Sequence, residues 1–479
     1  MHTIKADYLI VGAGGAGIAF ADTIIEETDA TVAIVDRYHQ PGGHWTMAYP
    51  FVRLHQPSAF YGVNSRKLGS DTIDRVGWNE GLYELATAGE ICAYFDQVMQ
   101  QQLLPTGRVS YYPMTEYLGA QQIRTLAGKE YCVEAGRIVD STYLRTVVPS
   151  MRPAPYAVAA GIECISPNGL PYLRGPRERY VVIGAGKTGI DALLWLLRQG
   201  IAPERITWIM PRDSWLLDRA FVQPGPMFAE QTAAAVAAQL QSVDTATSVV
   251  DLFDRFENAG LVQRIDRSVQ PTMFRCATVS QAELEQLRRV KDVVRMGRVT
   301  AIEPDTLVLT GGSLHSSNST LYVDCTADGL DKRPPKPIFD GDHITLQTVR
   351  GCQQVFSAAF IAHVEAAYDD DESRNHLCVP VPNPSTPEDW LRMTITYNRN
   401  YLRWLEDDDL IKWLNGARLD QYGQMLAAMV PDDASRDDFQ RQMKAALEAN
   451  TEHLQRLLAD IDRSPILSPQ AEHASGTVG

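Results

Sequence analysis

The chain of 479 residues predicts an α/β fold, with two dinucleotide-binding domains followed by a helical C-terminal extension. Three observations carry this. One pattern, an apolar run breaking into G-x-G-x-x-G, occurs at residue 12 and again at residue 184. The first copy continues through a helix-compatible segment into a second apolar run that ends on an acid. Beyond Pro380-Val381-Pro382 the chain reads as largely helical to Asp460.

In the first copy, Tyr8 to Val11 feeds into Gly12-Ala13-Gly14-Gly15-Ala16-Gly17, and Thr31 to Val35 leads to Asp36. Strand, glycine turn, helix, strand and acid form the Rossmann-like fingerprint in its required context. Gly12 permits the tight turn, Gly14 lets backbone approach a pyrophosphate, and Gly17 lets the helix pack on the strand. The helix N-terminus offers free N–H groups to phosphates. Asp36 follows Gly17 by 19 residues, where a carboxylate accepts the hydroxyls of an adenosine ribose.

Length suits about three domains of ordinary size. Apolar content of 45% and charged content of 22% are those of a globular chain with large cores. A net charge of -15 argues against a nucleic-acid or anionic-membrane partner, which needs basic surface in bulk. Seven cysteines lie dispersed without a CxxC pair, as expected of mostly buried thiols in a reducing cytoplasm. Met-His-Thr-Ile-Lys enters the first strand at once, with no signal-peptide pattern. No apolar run approaches the ~20 residues of a membrane span. A cytoplasmic protein is the expectation.

After Asp36, Arg37 either lies against an adenine face or is a solvated charge. Gly42 and Gly43, followed by Trp45, suit a loop where backbone meets a flat ligand. The stretch YPFVRLHQPSAFY, Tyr49 to Tyr61, interleaves aromatics with Arg53, His55, Gln56 and Ser58, the composition of an apolar pocket with a few convergent polar groups. Thr87 to Leu104 reads as a helix whose Ile91, Tyr94, Phe95, Val98 and Met99 belong to core. Val109 to Tyr112, Tyr131 to Val133 and Arg137 to Asp140 read as short strands of a small antiparallel sheet. Pro149 to Pro176, rich in proline and glycine, marks a boundary.

The pattern then repeats: Tyr180 to Ile183, the turn Gly184, Gly186, Gly189 with Lys187 and Thr188 at its helix, and a strand Ile206 to Met210. That strand ends on Pro211-Arg212 in place of an acid. A ribose 2′-phosphate repels a carboxylate and favours a guanidinium, so Arg212 points to NADP. Asp213 would serve a plain ribose if the loop is shifted by one. Lys187 either adds charge near the pyrophosphate or points to solvent.

Phe228 to Glu257 and Gln281 to Val294 read as helices, and Val299 to Leu309 as a hairpin. Tyr322 to Cys325 ends a strand in Thr326-Ala327-Asp328-Gly329, a close-approach signature, after which the chain returns to the first domain. The expected division is 1–165 and 326–380 for the first nucleotide domain, 170–325 for the second, 381–463 for the helical region, and a disordered tail at 464–479. The acidic clusters Asp369 to Glu372 and Glu406 to Asp409 read as solvated caps and turns, and no metal site is expected.

Two dinucleotide sites in one chain suggest hydride transfer from a nicotinamide to a flavin, with FAD in the first domain and NADPH in the second. The order of GAGGAG, VDR, PGGHW, the YPxxR-like stretch, GAGKTG, PRDSW and TADG resembles the flavin-containing monooxygenases, over most of residues 5 to 365. The resemblance implies that Gly42, Gly43 and Trp45 pack near the flavin, that Arg212 holds the NADP phosphate, and that Thr326 to Gly329 forms the late turn. It implies that NADPH reduces FAD, that O2 adds at the flavin C4a, and that this peroxyflavin passes one oxygen atom to a small organic substrate. Arg53 is then the candidate for stabilising the peroxide or NADP, and His55 or Gln56 for bonds at the flavin edge. A structural ion pair for Arg53 and a core position for His55 are equally open.

Two departures are plain. The family's histidine-bearing motif is absent from residues 151–179, and the late motif reads TADG where the family has ATG. A thiol–disulfide reductase is set aside for want of a cysteine pair within sequence reach. A flavin reductase or dehydrogenase without oxygen transfer, and a non-catalytic NADPH sensor, are the alternatives. The C-terminal helices are candidates for a homodimer contact.

Overall fold

A computed structural model describes residues 2–317, 319–327, 329–330, 332–420, 423–424 and 433–463. The strand His2–Val11 is the centre of the first sheet, parallel to Val32–Val35 on one side and Glu130–Asp140 on the other. Val109–Tyr112 extends one edge and His343–Thr345 the other, again in parallel. The chain therefore returns to this sheet after an excursion through a second one.

Alternation along these strands sorts the side chains. Ile10 and Ile34 face the helices, while Leu9, Ala33 and Val35 face a meander that contributes Ile123 and Val133. Helix Gly15–Glu27 lies between the sheet and helix Gln354–Ala367, which is why residues Gly17 to Ile25 are all buried. A helix enclosed on nearly every side is mostly apolar, and here only Asp22 and Thr23 break that pattern among the buried residues. Helix Ala88–Val98 starts at a capping box, in which Glu90 N–H donates to Thr87 Oγ1 and Thr87 N–H to Glu90 Oε2. Its Ile91, Tyr94, Phe95 and Val98 are core.

Two readings of this region change. Val109–Tyr112 is a parallel edge strand and no part of an antiparallel cap. Tyr131 to Val133 and Arg137 to Asp140 are one strand, paired along the whole of His2–Val11. Ala135-Gly136 interrupts its apolar pattern, and the backbone there closes on Asp7, whose carbonyl would lie 3.3 Å from a Cβ at Gly136. Only the segments Thr115–Gly119, Gln122–Thr125 and Glu130–Asp140 form the antiparallel meander.

The second sheet runs, all in parallel, Asp292–Val294, Ile206–Ile209, Arg179–Ile183, Thr320–Asp324 and Cys164–Ile165. The expected helix over Gln281 to Val294 stops at Leu287, because Val293 and Val294 pair with Trp208 and Ile209. The expected helix over Phe228 to Glu257 is two, Ala229–Thr245 and Val249–Asn258, the second capped by Ser248. Val299–Ile302 and Thr306–Leu309 form the hairpin.

A third cluster joins the short sheet of Ser214–Asp218, Val262–Gln263 and Met273–Val279 to helices Pro387–Trp404 and Asp433–Arg463. The acidic clusters act as caps, with Asp370 accepting from Ser373 N and Asp407 from Leu410 N. Cys276 and Cys352, expected as thiols, form a disulfide across 76 residues of sequence. Spacing along the chain gives no hint of it, since the fold alone brings them together. Among the described residues no helix is long and apolar enough to cross a membrane. Asp328 and the tail 464–479 lie outside the described residues.

Candidate functional site

A cavity of about 1080 Å³ lies between the two nucleotide-binding units, and both glycine turns open on it. Gly12 has φ +102°, and a Cβ there would meet Ser141 Oγ at 2.6 Å. A Cβ at Gly17 would lie 2.1 Å from Gly12 O, so only glycine lets helix and strand meet. Gly12 and Gly14 line the cavity, whereas Gly17 packs behind it. Gly14 caps helix Gly15–Glu27 with no side-chain bond, leaving the first N–H groups directed to the cavity. The loop after Asp36 closes from the other side. Gly42 N donates to Ala13 O at 2.9 Å, and Gly43, at φ +58°, places backbone against Gly14.

Asp36 is buried at the end of its strand and accepts from Ala13 N at 2.6 Å and Tyr38 N at 2.7 Å. Burial raises its carboxyl above the ordinary value despite these donors. Each oxygen keeps a lone pair for a further donor. Arg37 is exposed at the rim and stacks on Tyr38, 5.0 Å from the ring centroid. Trp45 Nε1 donates to Tyr61 OH at 2.8 Å, fixing the indole edge-on to that ring in the cavity wall.

At the second turn, Gly184 has φ +126° and a Cβ there would lie 2.8 Å from Cys325 O. A Cβ at Gly189 would meet Gly184 O at 2.1 Å. These two are packing glycines. Gly186 differs: it caps helix Lys187–Arg198 without a side-chain bond, and no heavy atom lies within 4 Å of where its Cβ would be. Thr188 lines the cavity beside it. Lys187 meets neither expectation fully. Its ammonium is held by Asp191, which also accepts from Tyr49 OH at 2.7 Å, and it donates to Arg53 O at 3.3 Å.

Arg212 is exposed just past the strand, outside the cavity wall. Asp213 is buried, and both of its oxygens accept from Arg295, at 2.7 and 2.9 Å. A one-residue loop shift that offers Asp213 to a ribose is thereby closed off. Arg295 escapes sequence reasoning because it follows a strand that reads as helix.

The segment from Tyr49 to Tyr61 runs along the cavity and contributes Arg53, His55 and Gln56 to its lining. Arg53 is exposed, whereas His55 and Gln56 are half-buried. His55 Nδ1 accepts from Thr278 N at 3.2 Å, which assigns the proton to Nε2. Burial, with Lys187 and Arg219 nearby, pushes its pKa down to about 3. Arg219, fully buried, holds the His55 carbonyl at 3.0 Å and pairs with Glu283 at 2.7 Å. This arginine carries no motif and is missed by sequence reasoning.

Of the late turn, Ala327 and Gly329 line the cavity, and Thr326 N donates to Asp324 Oδ1 at 3.0 Å. Arg152 anchors Thr326 through its hydroxyl at 3.1 Å. The far rim comes from regions without a motif: Leu346 to Thr348, Cys352 to Val355 and Pro380 to Ser385. Arg418, from the C-terminal region, clamps the wall by donating to the carbonyls of Ala59, Tyr61 and Val63, each at 2.8 Å.

The residues present fit two dinucleotides on structural grounds alone. Two uncapped helix N-termini face one cavity, Gly186 leaves open space, and Asp36 keeps acceptor capacity.

Comparison with known proteins adds relatives. The Mycobacterium tuberculosis (strain ATCC 25618 / H37Rv) protein Rv2000, described as uncharacterized, is 63% identical over 425 residues, covering 88% of this chain and 79% of its own. Mb2023 of Mycobacterium bovis, likewise described, matches to the same extent. A ferredoxin--NADP reductase of Salinispora tropica is 32% identical over 96 residues, 20% of this chain and 29% of its own. Among solved structures, a closed cyclohexanone monooxygenase superposes with TM-score 0.48 and 16% identity, covering 91% of this chain and 98% of its own. An oxidized steroid monooxygenase bound to NADP gives 0.47 and 16%, covering 76% and 84%. No family model matches the chain.

Proposed function

We propose that this chain, which belongs to the same family as the mycobacterial proteins Rv2000 and Mb2023, is an FAD- and NADPH-dependent oxidoreductase that transfers one oxygen atom from O2 to a small organic substrate. The observation that carries this reading is the convergence of both glycine turns on one cavity. Hydride transfer demands contact between two flat rings, and a shared cavity between two nucleotide-binding units supplies the place.

The chain's residues divide the work. The N–H groups after Gly14 take the pyrophosphate of FAD, and Asp36 its ribose, with Arg37 over the rim. Gly43 and Trp45 flank the ring system. Gly186 and Thr188 take the pyrophosphate of NADPH, Arg212 its 2′-phosphate, and Ala327 and Gly329 border the cleft between the two. Bound there, the flavin supplies the two-electron relay between nicotinamide and O2. His55, kept neutral, offers an Nε2–H donor and no acid, while Arg53 brings positive charge to the rim. Tyr49, Val52, Leu54, Phe60 and Tyr61 make that side of the wall largely apolar, which limits water at the reacting atoms.

The test is anaerobic addition of NADPH to FAD-loaded protein, followed by 18O2 and a panel of ketones, amines and sulfides. The expected result is bleaching of the flavin band by NADPH, then a product that carries one labelled oxygen per NADPH consumed. No bleaching overturns the hydride reading. Bleaching with all NADPH recovered as hydrogen peroxide, on every substrate, makes the protein a flavin reductase or oxidase.

A further inference from the structure

Cys276 and Cys352 both line the cavity on which the two glycine turns open, and they are joined there as a disulfide with Cα atoms 6.6 Å apart. They come from different units. Cys276 lies in the strand Met273–Val279 of the excursion, and Cys352 lies just ahead of helix Gln354–Ala367 of the first unit.

The backbone is shaped to put them there. Where Met273–Val279 pairs with Ser214–Asp218, the register slips: Trp215 faces Phe274, while Leu217, two residues on, faces Thr278, four residues on. The strand therefore bulges at Arg275 to Ala277, and a bulge re-aims the side chains it carries. Arg275, Cys276 and Ala277 all line the cavity. Cys276 has φ +54° and Cys352 φ +59°, a region that L-residues rarely adopt. The other non-glycine residues in that region, Asp71, Met114, Ala120 and Gln121, sit in loops and turns, so a strand residue there is unusual. Backbone held in such conformations clusters at functional sites.

Chemistry points the same way. Cys276 is 7% exposed and Cys352 half-buried, and both line the cavity. Cys352 precedes a helix whose N-cap Gln353 makes no side-chain bond, and free N–H groups at a helix start favour a thiolate. The remaining cysteines, Cys92, Cys132, Cys164, Cys325 and Cys378, are free thiols.

We propose that the Cys276–Cys352 cystine is a redox-active site, a two-electron acceptor that NADPH reduces from within the cavity. This rests on the reading of the cavity as an NADPH-driven redox site and is independent of oxygen transfer. The step balances as NADPH plus one proton plus cystine giving NADP⁺ plus two thiols. The nicotinamide C4–H bond breaks and delivers two electrons and one proton, solvent gives the second proton, and the S–S bond opens with one electron and one proton to each sulfur. Opening it also unties the strand of Cys276 from the helix start at Cys352, the one covalent strap across the cavity among the described residues.

The experiment uses the FAD-loaded full chain. It is titrated anaerobically with NADPH while flavin absorbance is followed, then quenched with an alkylating reagent, and labelled cysteines are located by peptide mass. The expected result is about two equivalents of NADPH per chain, one for each two-electron acceptor. The Cys276 and Cys352 peptides should go from unlabelled before NADPH to labelled after it, with the other five unchanged between the two samples. Full bleaching of the flavin with the cystine still unlabelled overturns the inference and leaves the hydride reading intact. Labelling of both cysteines before any NADPH is added also overturns it. If the flavin does not bleach and the cystine stays closed, the hydride reading falls and the inference with it.

Discussion

Asp213 accepts two parallel hydrogen bonds from the Arg295 guanidinium, at 2.7 and 2.9 Å, at the end of the strand where the second nucleotide's ribose is expected. The pair occupies both oxygens of Asp213, the carboxylate next to Arg212 in sequence, so that carboxylate is not turned toward a 2′-phosphate. Hydrogen bonds to charged groups contribute about 1.5–3 kcal/mol. Arg212→Ala should therefore raise KM for NADPH by roughly 10- to 100-fold and KM for NADH by about twofold or less, in steady-state flavin reduction. Equal effects on the two coenzymes would sink the phosphate assignment.

His55 titrates near pH 3 in the folded chain and near its ordinary 6.5 when unfolded. Between those values the unfolded state binds the extra proton, so stability falls as pH falls from 6.5 toward 3 and gains nothing from His55 above 6.5. In His55→Gln the loss of urea midpoint between pH 7 and pH 5 should be smaller than in the parent chain. Nitrogen-15 NMR of the labelled imidazole should show the neutral Nε2–H tautomer down to pH 5. A histidine signal that protonates near pH 6.5 would refute the burial argument.

Gly186 and Gly189 share one turn but should fail differently. A methyl at Gly189 would collide with Gly184 O at 2.1 Å, and overpacking against backbone costs about 1–3 kcal/mol. Gly189→Ala should unfold at lower urea with or without nucleotide. Gly186 has no neighbour within 4 Å and an ordinary φ of -84°. Gly186→Ala should keep the parent's unfolding curve without nucleotide yet raise the Kd for NADPH about tenfold or more, as the methyl takes space meant for phosphate. Parent-like NADPH binding by Gly186→Ala would remove this turn from the site.

The local parts of the site were legible because their chemistry is local. A glycine turn, its helix and the residue at the next strand's end sit within a short span, so Gly12, Asp36 and Gly186, which line the cavity, can be picked out from spacing. The parts set by tertiary approach were hidden. Arg295 follows a strand, Asp292–Val294, whose period is too short to oppose the helical reading of the residues before it. Cys276 and Cys352 meet only because the excursion folds back over the start of helix Gln354–Ala367, and no sequence interval encodes that. Arg418 and Arg219 reach the cavity wall through backbone carbonyls, partners that leave no trace in residue type.

The role of the C-terminal region turns on one buried ion pair. Arg350, 4% exposed, donates to Asp420, 2% exposed, at 2.7 and 3.2 Å, and its guanidinium lies 3.7 Å from the Phe356 ring centroid. Trp404 and Tyr397 enclose the same group, at 5.5 and 5.8 Å. Arg350 belongs to the loop that carries Cys352 to the cavity, so Asp420 ties the helical region to that loop. Removing one partner strands a charge in apolar surroundings, at a cost of about 3–5 kcal/mol. Asp420→Ala should lower the urea midpoint read by tryptophan fluorescence and loosen FAD retention on dialysis. Arg350→Met with Asp420→Leu, which strands no charge, should recover most of the midpoint. If the double variant unfolds as easily as Asp420→Ala, the ion pair is needed for more than neutralising its own burial. Its geometry, in particular the guanidinium stacked on Phe356, is then what holds the helical region against the site.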